Sequence, residues 1–167
     1  MQKEYKINQV NPSKGALDFS YLLDAPAGKH GFVQAKNGHL YYEDGTRARF
    51  LGFNMATRSN AVNHELAEKL AGRFASLGVN VIRLHAADAP IGEQERSWSS
   101  CKEAPLLDYE KGTSRFFHPE GLDRFDYFVA KLKEKGIYIH IDLIVAREFL
   151  LGDELDYDTK VASCSKC

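Results

Sequence analysis

The sequence predicts an α/β fold, namely the N-terminal portion of a TIM (β/α)8 barrel with about three strands and two helices after a lead-in β-hairpin. Apolar, strand-like runs alternate with segments whose apolar residues repeat at helical spacing. The helix-to-strand joints at Gly78 and Gly136 are tight, whereas the strand-to-helix joints after Asn54 and His85 are long. Barrels show this asymmetry because their functional loops follow the carboxyl ends of the strands.

Composition limits the classes of function. The chain has 167 residues, 44% of them hydrophobic, and a formal net charge of -1, which suits one domain. Lys and Arg are interspersed with Asp and Glu, so neither a nucleic-acid-binding face nor a membrane anchor is expected. The polar start does not resemble a signal peptide, which favours a cytoplasmic protein.

The three cysteines give little indication of chemistry. Cys101, Cys164 and Cys167 are unevenly spaced, so a disulfide framework is not expected, and the Cys164–Cys167 pair is weak evidence for zinc. No cofactor or metal is predicted.

We divide the chain into three parts. Residues 1–30 are weakly patterned, residues 31–148 hold the hairpin and the first three barrel strands, and residues 149–167 form an acidic and polar tail. In the hairpin, residues 32–35 and 40–43 are strand-like, and Asn37-Gly38 between them is a type I′ turn signal.

The first barrel strand is predicted over residues 49–54. Apolar residues then recur at helical spacing up to Leu77, with Asn63 as the N-cap and Gly78 as the stop. The second helix begins at His118-Pro119, where Pro suits the first turn, and ends at Gly136.

The second and third strands carry polar residues on one face. In residues 79–85, Arg83 and His85 share a face, while Ile82 and Leu84 share the other. In residues 137–143, alternation directs Ile137, Ile139, Ile141 and Leu143 toward the helices and Tyr138, His140 and Asp142 away from them. A doubly wound sheet would be apolar on both faces, so this pattern favours a barrel with a polar interior.

Three strands do not complete a barrel. A full barrel has eight strands and takes ~250 residues. We therefore expect the N-terminal part of one, either truncated or completed by something outside this sequence.

Several phrases resemble the opening of cellulase-like glycoside hydrolases of family 5 and related clan-A barrels. They are His30-Gly31-Phe32, Asp44-Gly45-Thr46, the run from Arg49 to Asn54, Leu77-Gly78-Val79-Asn80-Val81-Ile82-Arg83-Leu84-His85, and Leu132-Lys133-Glu134-Lys135-Gly136-Ile137-Tyr138. The Leu-Gly-x-Asn-x-x-Arg phrase is the most specific, and the resemblance spans roughly residues 30–148.

The resemblance implies hydrolysis of O-glycosidic bonds in an oligo- or polysaccharide. Such enzymes resemble two-carboxylate retaining hydrolases, whose two glutamates would lie beyond residue 167. Arg83 would keep the nucleophilic carboxylate ionised. The substrate-binding residues expected from the resemblance and from the loops are Asn54, Arg83, His85, Trp98, Asp142 and Arg147. Relatives often place a His just after the third strand, where this sequence has Ile144 and Val145.

Other interpretations of these residues stay open. Arg83 could be a structural partner of Asp142, and His85, His140 and Asp142 could together hold a metal. Trp98 and Tyr109 could stack on sugars or only pack the long loop. At the level of function, the alternative to a hydrolase is a non-catalytic half-barrel or carbohydrate-binding fragment. It would associate with itself or with the missing barrel half through open sheet edges.

Overall fold

The computed structural model describes residues 17–90 and 104–155, and it confirms the α/β class. An antiparallel hairpin precedes a parallel three-stranded sheet with strand order β3-β4-β5. The strands are β1 (Val33–Lys36), β2 (His39–Tyr42), β3 (Gly52–Ala56), β4 (Val81–His85) and β5 (Tyr138–Ile141), and the helices are α1 (His64–Ser76) and α2 (Pro119–Glu134). Both helices pack on the same face of the sheet, as in the opening strands of a barrel.

Local signals set the ends of these elements. Asn37 and Gly38 both have positive φ in the two-residue loop of the hairpin, as a type I′ turn requires. Asn63 caps α1 by accepting a hydrogen bond from the Leu66 amide, and Pro119 opens α2. After α2, Gly136 has a φ of +81°, and a Cβ there would lie 3.1 Å from the Ala25 nitrogen. The caps, the turn and the stops are therefore confirmed.

The core lies between the sheet and the two helices. Ile82 and Leu84 of β4 are fully buried, and they share this core with Phe128 and Leu132 of α2. Helix α1 contributes alanines, which allow it to approach the sheet closely; they are Ala67, Ala71 and Ala75. Among the described residues, no helix is both long and apolar enough to cross a membrane.

The opposite face of the sheet has no helix over it among the described residues. At its amino-terminal end, Tyr138 stacks on Tyr42 with ring centroids 5.6 Å apart, and Phe50 meets Tyr138 edge-on at 5.6 Å. The hairpin thus closes this end with aromatic rings, because Tyr42 belongs to β2.

Two expectations differ from the structure. The first barrel strand is Gly52–Ala56 rather than residues 49–54, because the side chain of Asn80 binds the Arg49 carbonyl and the Leu51 amide in place of a regular ladder. Ile141 pairs with the buried Leu84 and so shares its helix-facing side, but the expected cover is missing, since Ile141 is 44% exposed and Leu143, beyond the strand, is 83% exposed. Strand β5 ends at Ile141, and α2 covers only its beginning.

Candidate functional site

A polar cluster lies at the carboxyl ends of the three parallel strands, on the face away from the helices. Strand register places Asn54 of β3 beside Arg83 of β4, and Arg83 beside His140 of β5. His85 ends β4, and Asp142 directly follows β5. We call these five residues the Asp142 cluster. The sequence predicts their common face, because successive side chains of a strand alternate between faces.

Asp142 is the centre of this cluster. Its side chain is only 12% exposed and accepts from Arg83 twice, with Nη2 2.7 Å from Oδ2 and Nε 3.2 Å from Oδ1. His85 Nδ1 lies 2.5 Å from Oδ2, and His140 Nε2 lies 3.5 Å from Oδ1. The Arg83–Asp142 pair, which the sequence analysis left open as an alternative, is therefore present. Arg83 also donates to Asn54 Oδ1 at 3.2 Å, which joins all three strands in one network.

The network keeps Asp142 ionised. The hydrogen bond from His85 lowers the pKa of Asp142, partial burial opposes this effect, and the bond from Arg83 adds to it. An ionised carboxylate only accepts hydrogen bonds, so we assign the proton of this contact to His85 Nδ1. Among the described residues, His85 Nε2 has no hydrogen-bond partner. The His85 side chain remains 19% exposed, so part of the ring is accessible.

The backbone around His85 is held in place as well. The buried Asn60 donates from Nδ2 to the His85 carbonyl at 2.8 Å, and its own side-chain oxygen has no described partner. The residue after β3, Thr57, and the residue after β4, Ala86, have φ values of 51° and 52°. Non-glycine residues in this region are strained and concentrate at functional sites. Both strands are therefore followed by a residue in the left-handed backbone region, at the same edge of the sheet.

Of the remaining predicted site residues, Arg147 is not bound to this cluster. Its side chain donates to the Ser114 hydroxyl at 2.9 Å and to the Ser114 carbonyl at 2.5 Å. The hydroxyl of Tyr109 donates to the Asp88 carbonyl and accepts from the Glu148 amide, which is a loop-packing contact. Trp98 lies outside the described residues.

Two carboxylates that the sequence analysis did not single out hold the loops beside the cluster. Asp88 accepts from the amides of Val145 and Ala146, so it ties the loop after β4 to the segment after β5. Asp153 is buried and accepts from Thr113, Ser114 and Leu150. Burial raises the pKa of Asp153, but these hydrogen bonds outweigh it and hold the pKa at about 2. Asp153 lies in a stretch that reads as an acidic tail, so no pattern marks it.

The cluster suits hydrogen bonding better than metal binding. Among residues 17–90 and 104–155, no three His, Cys, Asp or Glu side chains are arranged as metal ligands. Both oxygens of Asp142 are already bound to Arg83 and His85. What faces the open side is a set of donors and acceptors from Asn54, Arg83, His85 and His140. Such a set can bind the hydroxyl groups of a polar ligand.

No protein-family model matches the chain, and no curated protein matches it. Several solved structures are similar to it, including the following two. One is a glycoside hydrolase family 5 structure from Bacteroides vulgatus ATCC 8482, with a TM-score of 0.49 and 15% identity over 71% of this chain and 26% of that chain. The other is described as a glycoside hydrolase, with a TM-score of 0.49 and 19% identity over the same shares of the two chains. The chain thus spans about a quarter of the length of these two structures.

Proposed function

We propose that the Asp142 cluster binds a carbohydrate, and that this chain supplies one wall of the cleft of a glycoside hydrolase acting on O-glycosidic bonds. The observation that carries the proposal is the network of Asn54, Arg83, His85, His140 and Asp142 at the carboxyl ends of three parallel strands, on a face that no described helix covers. In barrels this end of the strands carries the active site. The sequence phrases that resemble family 5 glycoside hydrolases lie on the same strands.

Hydrolysis needs groups beyond this cluster. A retaining mechanism uses two carboxylates roughly 5 to 5.5 Å apart, one as nucleophile and one as acid and base. Asp142 is the cluster's single carboxylate among the described residues, and Arg83 and His85 bind both of its oxygens. It therefore acts as a positioning residue for His85 and Arg83. The catalytic pair is proposed to lie beyond residue 167, so we expect this chain alone to bind sugar without cleaving it.

The test is a titration of the ¹⁵N-labelled chain with cellohexaose, mannohexaose and xylohexaose, followed by amide chemical shifts. We expect saturable shifts at residues 54–57, 83–88 and 140–142 with at least one of these sugars. Replacing the exposed Asn54 (Asn54→Ala) should weaken binding by about 2- to 10-fold, because one hydrogen bond is lost. The matched control is Gln34→Ala, an exposed amide on β1 that should leave the affinity unchanged.

Two results would contradict the proposal: no shifts with any sugar, or shifts confined to the hairpin. Release of reducing sugar by the purified chain would contradict the narrower statement that the catalytic pair lies elsewhere.

A second candidate function is supported by the sheet edges. Within the described residues, β3 and β5 each pair with β4 only, so each has one unpaired edge. Beside β5, Leu143 and Ile144 are 83% and 67% exposed. Unpaired strand edges favour pairing with another chain. The alternative is thus a half-barrel that associates with a second copy or with the rest of a barrel, and sedimentation velocity of the titrated sample distinguishes it by a concentration-dependent rise above 18.8 kDa.

A further inference from the structure

A basic pocket lies on the hairpin, at the end of the sheet opposite to the Asp142 cluster. Its volume is about 470 Å³, within the range of roughly 300 to 1,000 Å³ that small-molecule sites occupy. The charged and ring side chains that line it are Lys36, His39, Arg47 and Arg49, together with the amide of Asn37. Of residues 17–90 and 104–155, none with a carboxylate lines this pocket. We call it the hairpin pocket.

Within the part of the chain that the structure describes, no acidic side chain neutralises the three cations of the hairpin pocket. Lys36, Arg47 and Arg49 have no described carboxylate within 4.0 Å. The two acidic residues of the adjoining turn have other contacts. Asp44 binds His30 and the Thr46 amide. The carboxylate of Glu43 packs against Gly31, in the space that the Cβ of any other residue at position 31 would occupy. The pocket therefore has a local charge of about +3, although the net charge of the whole chain is -1.

The backbone that carries these cations is held in place. Lys36 lies opposite His39 in the β1–β2 register, and Arg47 forms a bridge with Tyr41, so the chain after β2 returns alongside it. The Ala48 amide donates to the Leu40 carbonyl at 2.9 Å.

Two side-chain contacts hold the pocket further. Arg47 Nη2 lies 3.0 Å from His39 Nδ1, which fixes the guanidinium beside the imidazole. Asn80 Nδ2 donates to the Arg49 carbonyl at 2.7 Å, so the residue before β4 holds the backbone of Arg49 in the segment that follows the hairpin. Pre-organised donors lose less entropy on binding than mobile ones do.

We propose that the hairpin pocket binds a small ligand with more than one oxyanion group, either phosphate or carboxylate. Guanidinium groups match such oxygens in a two-pronged arrangement, and Lys36 adds a point charge. A single inorganic ion would fill only part of the volume, whereas a ligand with two or three anionic groups can meet Lys36, Arg47 and Arg49 at once. The proposal is independent of sugar binding at the Asp142 cluster, which lies at the other end of the sheet.

The test is isothermal titration calorimetry of the full chain at low ionic strength with pyrophosphate and, separately, citrate. We expect saturable binding of at least one probe, weakened by added NaCl. Tighter binding of pyrophosphate would identify a phosphate ligand, and tighter binding of citrate would identify a carboxylate ligand. Arg47→Ala should weaken binding about tenfold, because a charge-assisted contact is lost.

Two further variants make the result decisive. Lys36→Ala removes an exposed side chain with no described contact, so it should weaken binding several-fold without affecting the fold. Lys135→Ala removes one exposed cation at the end of α2 and should leave binding unchanged. Absence of heat with both probes would overturn the proposal. Equal losses in Lys36→Ala and Lys135→Ala would also overturn it, since binding would then follow total charge.

Discussion

The two faces of strand β4 differ in what their neighbours provide. Toward the helices, Ile82 and Leu84 are fully buried among side chains of α1 and α2. Toward the other side, Arg83 is 43% exposed, and its neighbour His85 is held by Asp142 at the adjacent strand. One face is closed by apolar packing, whereas the other is open and carries hydrogen bonds and ion pairs. Because alternate residues of one strand supply both, the stability of the fold and the chemistry of its site can be separated by substitution.

The largest expected effect is on the closed face. Phe128 is fully buried between α2 and the sheet, so Phe128→Ala should lower the free energy of unfolding by about 3 to 5 kcal/mol through lost burial and a cavity. The matched control is Phe53→Ala, because Phe53 of the edge strand is 51% exposed and should cost less than about 1 kcal/mol. Urea denaturation measures both. Equal losses would show that the helices do not define the core.

An intermediate effect is expected on the open face. Asp142→Asn should lower the melting temperature by less than half as much as Phe128→Ala, since the polar cluster is partly solvated. Its main consequence is at His85: an amide oxygen is a weaker acceptor than a carboxylate, so the fraction of imidazole that carries its proton on Nδ1 should fall and the fraction protonated on Nε2 should rise. The ¹⁵N shifts of the ring nitrogens report this exchange. Asp126→Asn, an exposed acid of α2, should leave them unchanged.

The same network should lose its stabilising contacts at low pH. Because the pKa of Asp142 is lowered in the folded chain, its stabilising contacts are fully present above the unfolded carboxyl pKa of about 3.9 and are lost as the pH falls below it. A His85 tautomer that did not respond to Asp142→Asn would contradict the assignment of the Nδ1 proton.

The sequence analysis succeeded where the cause is local or periodic. The Asn37-Gly38 turn, the Asn63 cap and the Gly78 stop each depend on the backbone preferences of one or two residues. The meeting of Arg83 with Asp142 follows from alternation plus strand adjacency, although 59 residues separate them. The predictions for Asn54, Arg83, His85 and Asp142 therefore named side chains that do come together.

The failures occur where distant segments decide the outcome. Nothing near Arg147 indicates that Ser114 is its partner, 33 residues away. Likewise, Asp153 reads as a member of an acidic run, yet it is buried under Thr113 and Ser114. The apolar alternation of Ile141 and Leu143 predicts burial, but burial also requires a covering element, and α2 does not reach them. Local pattern gives the direction of a side chain, and tertiary contacts decide what it meets.

The smallest expected effect lies at the aromatic end of the open face. His30 is bound by Asp24 at Nε2 and by Asp44 at Nδ1, the latter at 2.5 Å. The hydrogen bond with Asp24, then that with Asp44, raises the pKa of His30. Stability from the charged imidazole is thus fully present below the unfolded histidine pKa of about 6.5 and is lost as the pH rises through the higher folded value.

The measurement is the melting temperature of the wild type minus that of His30→Gln, taken from pH 5 to pH 9. We expect a difference of about 1 to 3 °C at pH 5.5 that shrinks toward pH 9. Asp44→Asn removes one of the two bonds that raise the pKa of His30, so the alkaline step should move to lower pH. A difference that stays constant over this range would mean that His30 contributes by packing on Tyr42 alone, its ring centroid being 5.6 Å away. The stability that His30 contributes would then be independent of pH, as is expected of the apolar packing on the helix-covered face.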